Sequence, residues 1–486
     1  MKQVLLCVTG VLVLFHVCTG CLMQPAPEGQ SLDGQLAKVI TTHSLSGDPR
    51  QGRKMARIDS PLAQLGMKLF FSKSLSLGRD TACVSCHHPF LAGGDGLVLP
   101  IGVEAVDDEI LGQGRTHPGG VFTVPRNSPT IFNSGLWKYT MFVDGRIEVV
   151  GEQDEQLLIR TSDSDFGVAD PEAGSTLLAA QARFPVTSIE EMRGTTIEVL
   201  QDVRKDRREV RRHLVERFAN EAGAAEWREE FRVALPEEKD GRDLISFANI
   251  AKAIAAYEES QLFIKNPWSA YVQGDRTAIN TSEKRGALLF YKGVEQGGAG
   301  CVACHSGDFF TDEAYHVLCI PQVGIGKGDG ATGTDDFGRF RETGKPEDMY
   351  AFRTSSLLNI EVTGPYGHSG FYGSLEEVIR HHFSPAEAIA MCDFAVLDPL
   401  IPSKDAEKNT SDVLAHLQKN KRLGMPTIAE VSLGDEQFSD LINFLKALTD
   451  PCVKDKAFLQ PWVLELGVGD PDGSLLRAVD GAGHPL

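Results

Sequence analysis

The chain has 486 residues, 42% hydrophobic and 24% charged, with a formal net charge of −19 at pH 7. That length supports two or three domains with sizeable cores, and the composition is that of an ordinary soluble globular protein. The acidic balance excludes nucleic acid and anionic membrane faces as electrostatic partners, leaving solubility or the steering of a small basic protein as its physical consequences.

In chain order, Met1-Lys2-Gln3, an apolar run from Val4 to Phe15 and small residues before Cys21 read as an export signal over residues 1–20. The run is too short to span a bilayer. Thr19-Gly20-Cys21 resembles a lipobox, which makes Cys21 a lipid-anchor site, although Cys18 stands where such motifs usually carry leucine; cleavage and release is the alternative. Residues 21–55 are polar, carry Pro25, Pro27 and Pro49, and are expected to form a tether. Cys83-Val84-Ser85-Cys86-His87 follows.

Glu190 to Phe231 is charged and helix-like, and Leu244 to Phe263 places Ile245, Ile250, Ile254 and Tyr257 at helical intervals until Asn266-Pro267 stops it. Ser282 to Tyr291 leads into a second run, Cys301-Val302-Ala303-Cys304-His305. Gly324 to Thr343 is a Gly- and Asp-rich loop whose aspartates lack the ligand spacing of an EF-hand. Ser374 and Glu377 form a capping box, with Leu375, Val378, Ile379 and His382 on one stripe of the helix that follows. Residues 451–486 read as a surface tail, and no internal repeat is visible beyond the two C-x-x-C-H runs.

Those two runs carry the chemistry. Cysteines three positions apart on one turn can add to the two vinyl groups of a single porphyrin, and the adjoining histidine then becomes the fifth ligand of the iron. A zinc site needs four clustered ligands, and a thioredoxin-like site needs a βαβ context and no histidine. Cys83, Cys86 and His87, and Cys301, Cys304 and His305, therefore read as the attachment sites of two covalent haem c groups. Of the ten cysteines, Cys319, Cys392 and Cys452 remain; a Cys392–Cys452 bridge is allowed in an oxidising compartment, without being assigned by sequence. The fold class is mainly α, with two cytochrome-c-like haem domains and long loops, at 56–265 and 266–450.

From Pro61 to Pro451 the chain resembles the bacterial dihaem cytochrome c peroxidase and MauG superfamily. The markers are Gly66-Met67-Lys68-Leu69-Phe70, Pro125-Arg126-Asn127-Ser128-Pro129-Thr130, Asp144-Gly145-Arg146, Phe352-Arg353-Thr354-Ser355-Ser356-Leu357-Leu358-Asn359 and Pro365-Tyr366-Gly367-His368. The resemblance implies a peroxidatic N-terminal haem and an electron-transfer C-terminal haem. Classical members carry a distal histidine in an Ile-Gly-His segment; here Ile101-Gly102 is followed by Val103, so the first iron is expected to be open, with His88 and His117 as weak competitors. The distal pocket maps onto Gln181, Pro185 and Glu191, where a desolvated carboxyl can take and return a peroxide proton. The distal ligand of the second haem, a methionine or tyrosine in the family, falls on His382, with His381 and Met391 as lesser candidates. A calcium ion is implied at Asn127, Thr363 and Pro365. The family's inter-haem tryptophan is Val143 here, with Trp137, Tyr139 and Phe142 nearby.

The expected activity is periplasmic reduction of hydrogen peroxide, with electrons from a small donor protein such as a cytochrome c or cupredoxin. The alternative is a MauG-like oxidase that modifies a partner protein, and the third reading, a dihaem electron carrier, fits an open iron beside a carboxyl poorly. The family resemblance also allows a homodimer.

Overall fold

The structure is a computed structural model, and it describes residues 31–119, 123–195, 201–221, 223–238, 244–394, 401, 404–465, 472, 473 and 475–486. The export signal and Cys21 lie outside those residues. The helices up to the second cysteine motif are α1 (Leu32–Thr42), α2 (Pro61–Phe71), α3 (Leu177–Gln181), α4 (Val203–Asn220), α5 (Ala224–Ala234), α6 (Phe247–Ser260), α7 (Pro267–Val272) and α8 (Thr281–Tyr291). After it come α9 (Phe340–Thr343), α10 (Leu375–Phe383), α11 (Pro385–Ala390), α12 (Ala406–Arg422), α13 (Asp435–Lys446) and α14 (Lys456–Leu459). Strands are few and short: β1 (Ile110–Gly112), β2 (Thr140–Met141), β3 (Ile147–Gln153), β4 (Gln156–Arg160), β5 (Tyr315–His316), β6 (Phe352–Arg353) and β7 (Arg477–Val479). They pair as parallel β1–β7, an antiparallel β2–β3–β4 sheet and antiparallel β5–β6. Among the described residues no helix is long and apolar enough to cross a membrane.

Two large apolar clusters organise the chain. One packs α2, α4, α5 and α6 around Phe70, Phe218, Trp227, Phe231 and Tyr257. The other packs α1, α7, α8, α10 and α13 around Leu36, Trp268, Tyr271, Phe290, Leu441 and Phe444. Each is held by a close crossing of two helices at a glycine. A Cβ on Gly66 of α2 would lie 1.9 Å from the Ala253 carbonyl oxygen of α6, and a Cβ on Gly286 of α8 would lie 1.9 Å from that of Asp440 of α13. Gly66-Met67-Lys68-Leu69-Phe70 and Gly286-Ala287-Leu288-Leu289-Phe290 thus play the same part ahead of their cysteine motifs. This corrects the reading that nothing repeats beyond the motifs: the signal is one glycine and two apolar positions, too sparse to register as a period.

Two further expectations are corrected. The described part of the tether forms α1, capped by Ser31, whose hydroxyl accepts from the Gly34 N–H; Leu36 is fully buried in the second cluster and Asp33 accepts from the Tyr271 hydroxyl. Its polar composition conceals one short apolar stripe, which suffices once a partner face exists. The tail over 451–486 is also not free. The Tyr257 hydroxyl donates to the Trp462 carbonyl, the Ser74 hydroxyl and the Trp227 indole donate to Asp472, and β7 pairs with β1. The tail closes over the first cluster.

Candidate functional site

Both C-x-x-C-H runs begin as single 3₁₀ turns, Cys83–Ser85 and Cys301–Ala303, and both open onto one cavity of about 1180 Å³. That exceeds the ~300–1,000 Å³ of an ordinary ligand pocket. His87 Nδ1 donates to the Gly93 carbonyl and His305 Nδ1 to the Phe310 carbonyl, each over 3.1 Å. This tautomer leaves Nε2 of each ring as the lone pair available to a metal. Burial pulls His87 below its usual range; burial, and then the nearby His382, pull His305 down to about 4, so both rings stay neutral and able to ligate. All four motif thiols are free and face the cavity, and burial pushes Cys83, Cys86 and Cys301 up. Apolar walls, paired thiols and two available imidazoles fit two covalent haems.

In the cavity of the first motif, Gln181 ends α3, Pro185 opens a 3₁₀ turn and Glu191 sits in a single π turn, Ile189–Arg193. All three line the cavity, and Gln181 Oε1 is buried without a hydrogen-bond partner, an acceptor awaiting a donor. Burial pushes the Glu191 carboxyl above its usual range, opposed first by Arg146 and then by Lys327. Gly102 is required beside this turn, because a Cβ there would lie 2.0 Å from the Glu190 carbonyl oxygen. Val103 is buried against the same turn and outside the cavity lining. The competing histidines are elsewhere: His88 is buried between Phe71 and Phe90 and accepts from the Phe90 N–H, and His117 accepts from the Gly119 N–H.

At the second motif, α10 starts with the expected Ser374–Glu377 capping box. His382 lines the cavity and donates from Nδ1 to the Val378 carbonyl at 2.7 Å, leaving Nε2 available. His381 is spent: its nitrogens contact the Tyr372 hydroxyl and the Leu318 carbonyl, both at 2.6 Å. Met391 is 85% exposed and is removed as a ligand.

Between the motifs, Val143 stands among Trp137 and Phe142 on the cavity wall. Trp137 packs edge-on to Phe309 at 4.9 Å with Arg353 over its face, and Phe142 lies under Arg146; Tyr139 is 59% exposed. A buried ionic seam crosses the same region, with Arg126 donating to Asp336 at 2.7 and 2.8 Å and to Asp144 at 2.6 Å.

Asn127, Thr363 and Pro365 meet at a small cavity with Asp95. Asn127 spends its amide hydrogens on the Leu97 and Val98 carbonyls. Asp95 Oδ1 accepts from the Leu97 N–H, Oδ2 has no partner, and burial pushes this carboxyl up to about 7. An orphaned carboxylate oxygen among carbonyl groups fits a hard cation. Asp95 was missed in the sequence, as were Glu258 of α6 and Lys327 on the cavity wall. Each is an ordinary charged residue locally, and only the tertiary fold encloses it. Cys319, Cys392 and Cys452 are free, so no Cys392–Cys452 bridge forms.

Paired C-x-x-C-H turns opening on one cavity between two helical clusters fit a dihaem c-type architecture. A family model described as di-haem cytochrome c peroxidase matches residues 60–277. The chain is 28% identical over 359 residues to the methylamine utilization protein MauG of Methylorubrum extorquens, covering 74% of this chain and 77% of that one. It is 29% identical over 317 residues to cytochrome c551 peroxidase of Pseudomonas aeruginosa, covering 65% and 70%. Among solved structures, a MauG-like protein associated with microbial copper homeostasis matches with TM-score 0.53 and 25% identity over 84% of this chain and 96% of that one. The dihaem peroxidase BthA from Burkholderia thailandensis shares the fold, with TM-score 0.53, 20% identity and coverage of 88% and 92%. These matches support the dihaem cytochrome c peroxidase and MauG superfamily for this chain, and with it an oxidoreductase of that class.

Proposed function

We propose that the protein is a periplasmic dihaem peroxidase that reduces hydrogen peroxide to water, with electrons entering through the C-terminal haem from a small donor protein such as a cytochrome c or cupredoxin. The observation that carries this reading is the enclosure of Glu191 and the unpartnered Gln181 with the first C-x-x-C-H turn in one cavity. The reaction consumes one peroxide, two protons and two electrons and yields two waters. When bound, the haems supply the iron at which the O–O bond is cleaved and the path by which electrons arrive. Cys83, Cys86 and His87 would hold one, and Cys301, Cys304, His305 and His382 the other.

The rest falls to this chain's side chains. The Glu191 carboxylate takes the proton from the near peroxide oxygen and returns it to the departing oxygen, so that water leaves rather than hydroxide. Gln181 Oε1 accepts a hydrogen bond from the substrate and orients it. Asn127, Thr363 and Pro365, with Asp95 beside them, would hold calcium between the two haem-bearing halves. Export and anchoring at Cys21 rest on the N-terminal sequence.

A MauG-like oxidase is the second reading, favoured by the imidazole of His382 where a methionine would raise the potential. Val143 in place of an aromatic bridge weighs against it. Stopped-flow mixing of the isolated protein with peroxide, with and without a reduced small cytochrome, separates them. Rapid oxidation of the cytochrome is expected; a long-lived oxidised state inert to the cytochrome would move the assignment to the oxidase.

A further inference from the structure

Around Val143 the cavity wall carries two side chains able to give up an electron, the Trp137 indole and the Tyr315 phenol. Each is covered by a guanidinium. The Arg353 Cζ stands 3.5 Å from the centre of the Trp137 ring, and the Arg339 Cζ stands 4.5 Å from that of Tyr315.

Arg353 is held in place from several directions. Strands β5 and β6 pair Tyr315 with Arg353, the Arg353 N–H donates to the Val143 carbonyl at 2.8 Å, and its guanidinium donates to the Thr140 carbonyl. The indole is fixed as well. It packs edge-on to Phe309 at 4.9 Å, and the two residues after it, Lys138 and Tyr139, donate their N–H groups to the Glu313 carboxylate at 3.1 and 3.0 Å.

The charge of Arg353 is also unspent. Among the described residues no carboxylate is ion-paired with it, whereas Arg339 meets Glu148 at 2.8 Å, and Nε of Arg353 is buried without a hydrogen-bond partner. Burial pulls Arg353 down to about 10, so it remains a cation at neutral pH. A cation over a neutral indole is attracted by the ring quadrupole. Loss of one electron reverses the sign, because a positive charge then sits on the ring 3.5 Å from the guanidinium and is repelled. Trp137 is also where this wall reaches solvent, since Tyr139, two residues on, is 59% exposed.

We propose that Arg353 guards Trp137 against oxidation, so that the oxidising equivalents delivered by peroxide stay at the haems until a donor protein supplies electrons, instead of passing through Trp137 to the surface. The step opposed is a one-electron transfer: the neutral indole loses an electron, the haem oxidised by peroxide gains it, and the indole N1 proton is then released. The proposal rests on the peroxidase reading and adds to it a protective residue outside the peroxide-cleaving machinery.

The test uses the holoenzyme with Arg353→Gln and Arg353→Met, which remove the charge, and Arg353→Lys, which keeps it. In one arm, one equivalent of peroxide is mixed in without donor and the indole radical is read by freeze-quench electron paramagnetic resonance. In the other, flash photolysis of ruthenium tris(bipyridine) replaces peroxide as the oxidant. Wild type and Arg353→Lys give the same low radical yield. The uncharged variants give roughly tenfold more in both arms, the size of like-charge repulsion at this separation even at the permittivity of water. Adding Trp137→Phe abolishes the excess. A Trp137 radical in wild type as abundant as in Arg353→Gln overturns the proposal, and so does an excess that survives Trp137→Phe or appears equally in Arg353→Lys. If wild type does not react with peroxide, the peroxidase reading fails while the photochemical arm still decides whether Arg353 protects Trp137.

Discussion

At Glu191, burial favours the protonated acid and two cations favour the carboxylate, a balance that suits a group required to take up and release a proton within one turnover. Glu191→Gln keeps the shape and removes the proton acceptor. Both haems should be retained while peroxide cleavage slows by roughly 10²- to 10⁴-fold, measured by single-turnover mixing. Turnover close to wild type would remove Glu191 from the mechanism. His382 poses the matching question at the other motif, since His381 is consumed by Tyr372 and Leu318 and Met391 points to solvent. In His382→Ala the second haem should turn high-spin by electron paramagnetic resonance, leaving the first nearly unchanged. His382→Met should raise its reduction potential, because a thioether stabilises ferrous iron relative to imidazole. A spectrum insensitive to His382→Ala would assign the ligand elsewhere.

Among the elements, the decisive contacts are the two glycine crossings. Gly286 lets α8 approach the backbone of α13, with Phe444 Cβ also 2.8 Å from where a Cβ would stand. Gly286→Ala should force the helices apart and cost about 1–3 kcal/mol, seen as a lower melting temperature with haem still bound. An unchanged melting temperature would mean that α13 shifts freely. Helices α6, α8 and α10 follow from their apolar stripes and caps, because local pattern and tertiary demand agree there. The charged stretch from Glu190 behaves otherwise: it divides into the π turn, α4 and α5, with Gly194 at φ 59° ending the first and Gly223 at φ 85° opening the last. Charge density marks a solvated helix and is silent on where glycine interrupts it.

On the scale of the whole molecule, the two halves are joined by the Arg126–Asp144–Asp336 seam and by the cavity of Asp95, Asn127, Thr363 and Pro365. Exhaustive chelation should lower both peroxidase activity and melting temperature, because an ion bound only by the folded state stabilises it by mass action. Calcium should restore both. Activity and melting that ignore chelation would reject the site and leave Asp95 a protonated buried acid.

The sequence by itself determined the chemistry that is written locally. Two pairs of thiols, each followed by a histidine within five residues, read as covalent haem attachment from local order alone, and a capping box with apolar residues at helical intervals specifies the helix carrying His382. It also aligned Gln181, Pro185 and Glu191, through resemblance to a superfamily. Only the tertiary structure brought distant residues together: Asp336 with Arg126, Asp95 with Pro365, and the tail with β1. Each pairing joins residues far apart in the chain, and burial and the absence of a competing partner are properties of the enclosed cavity, with no counterpart in local residue order.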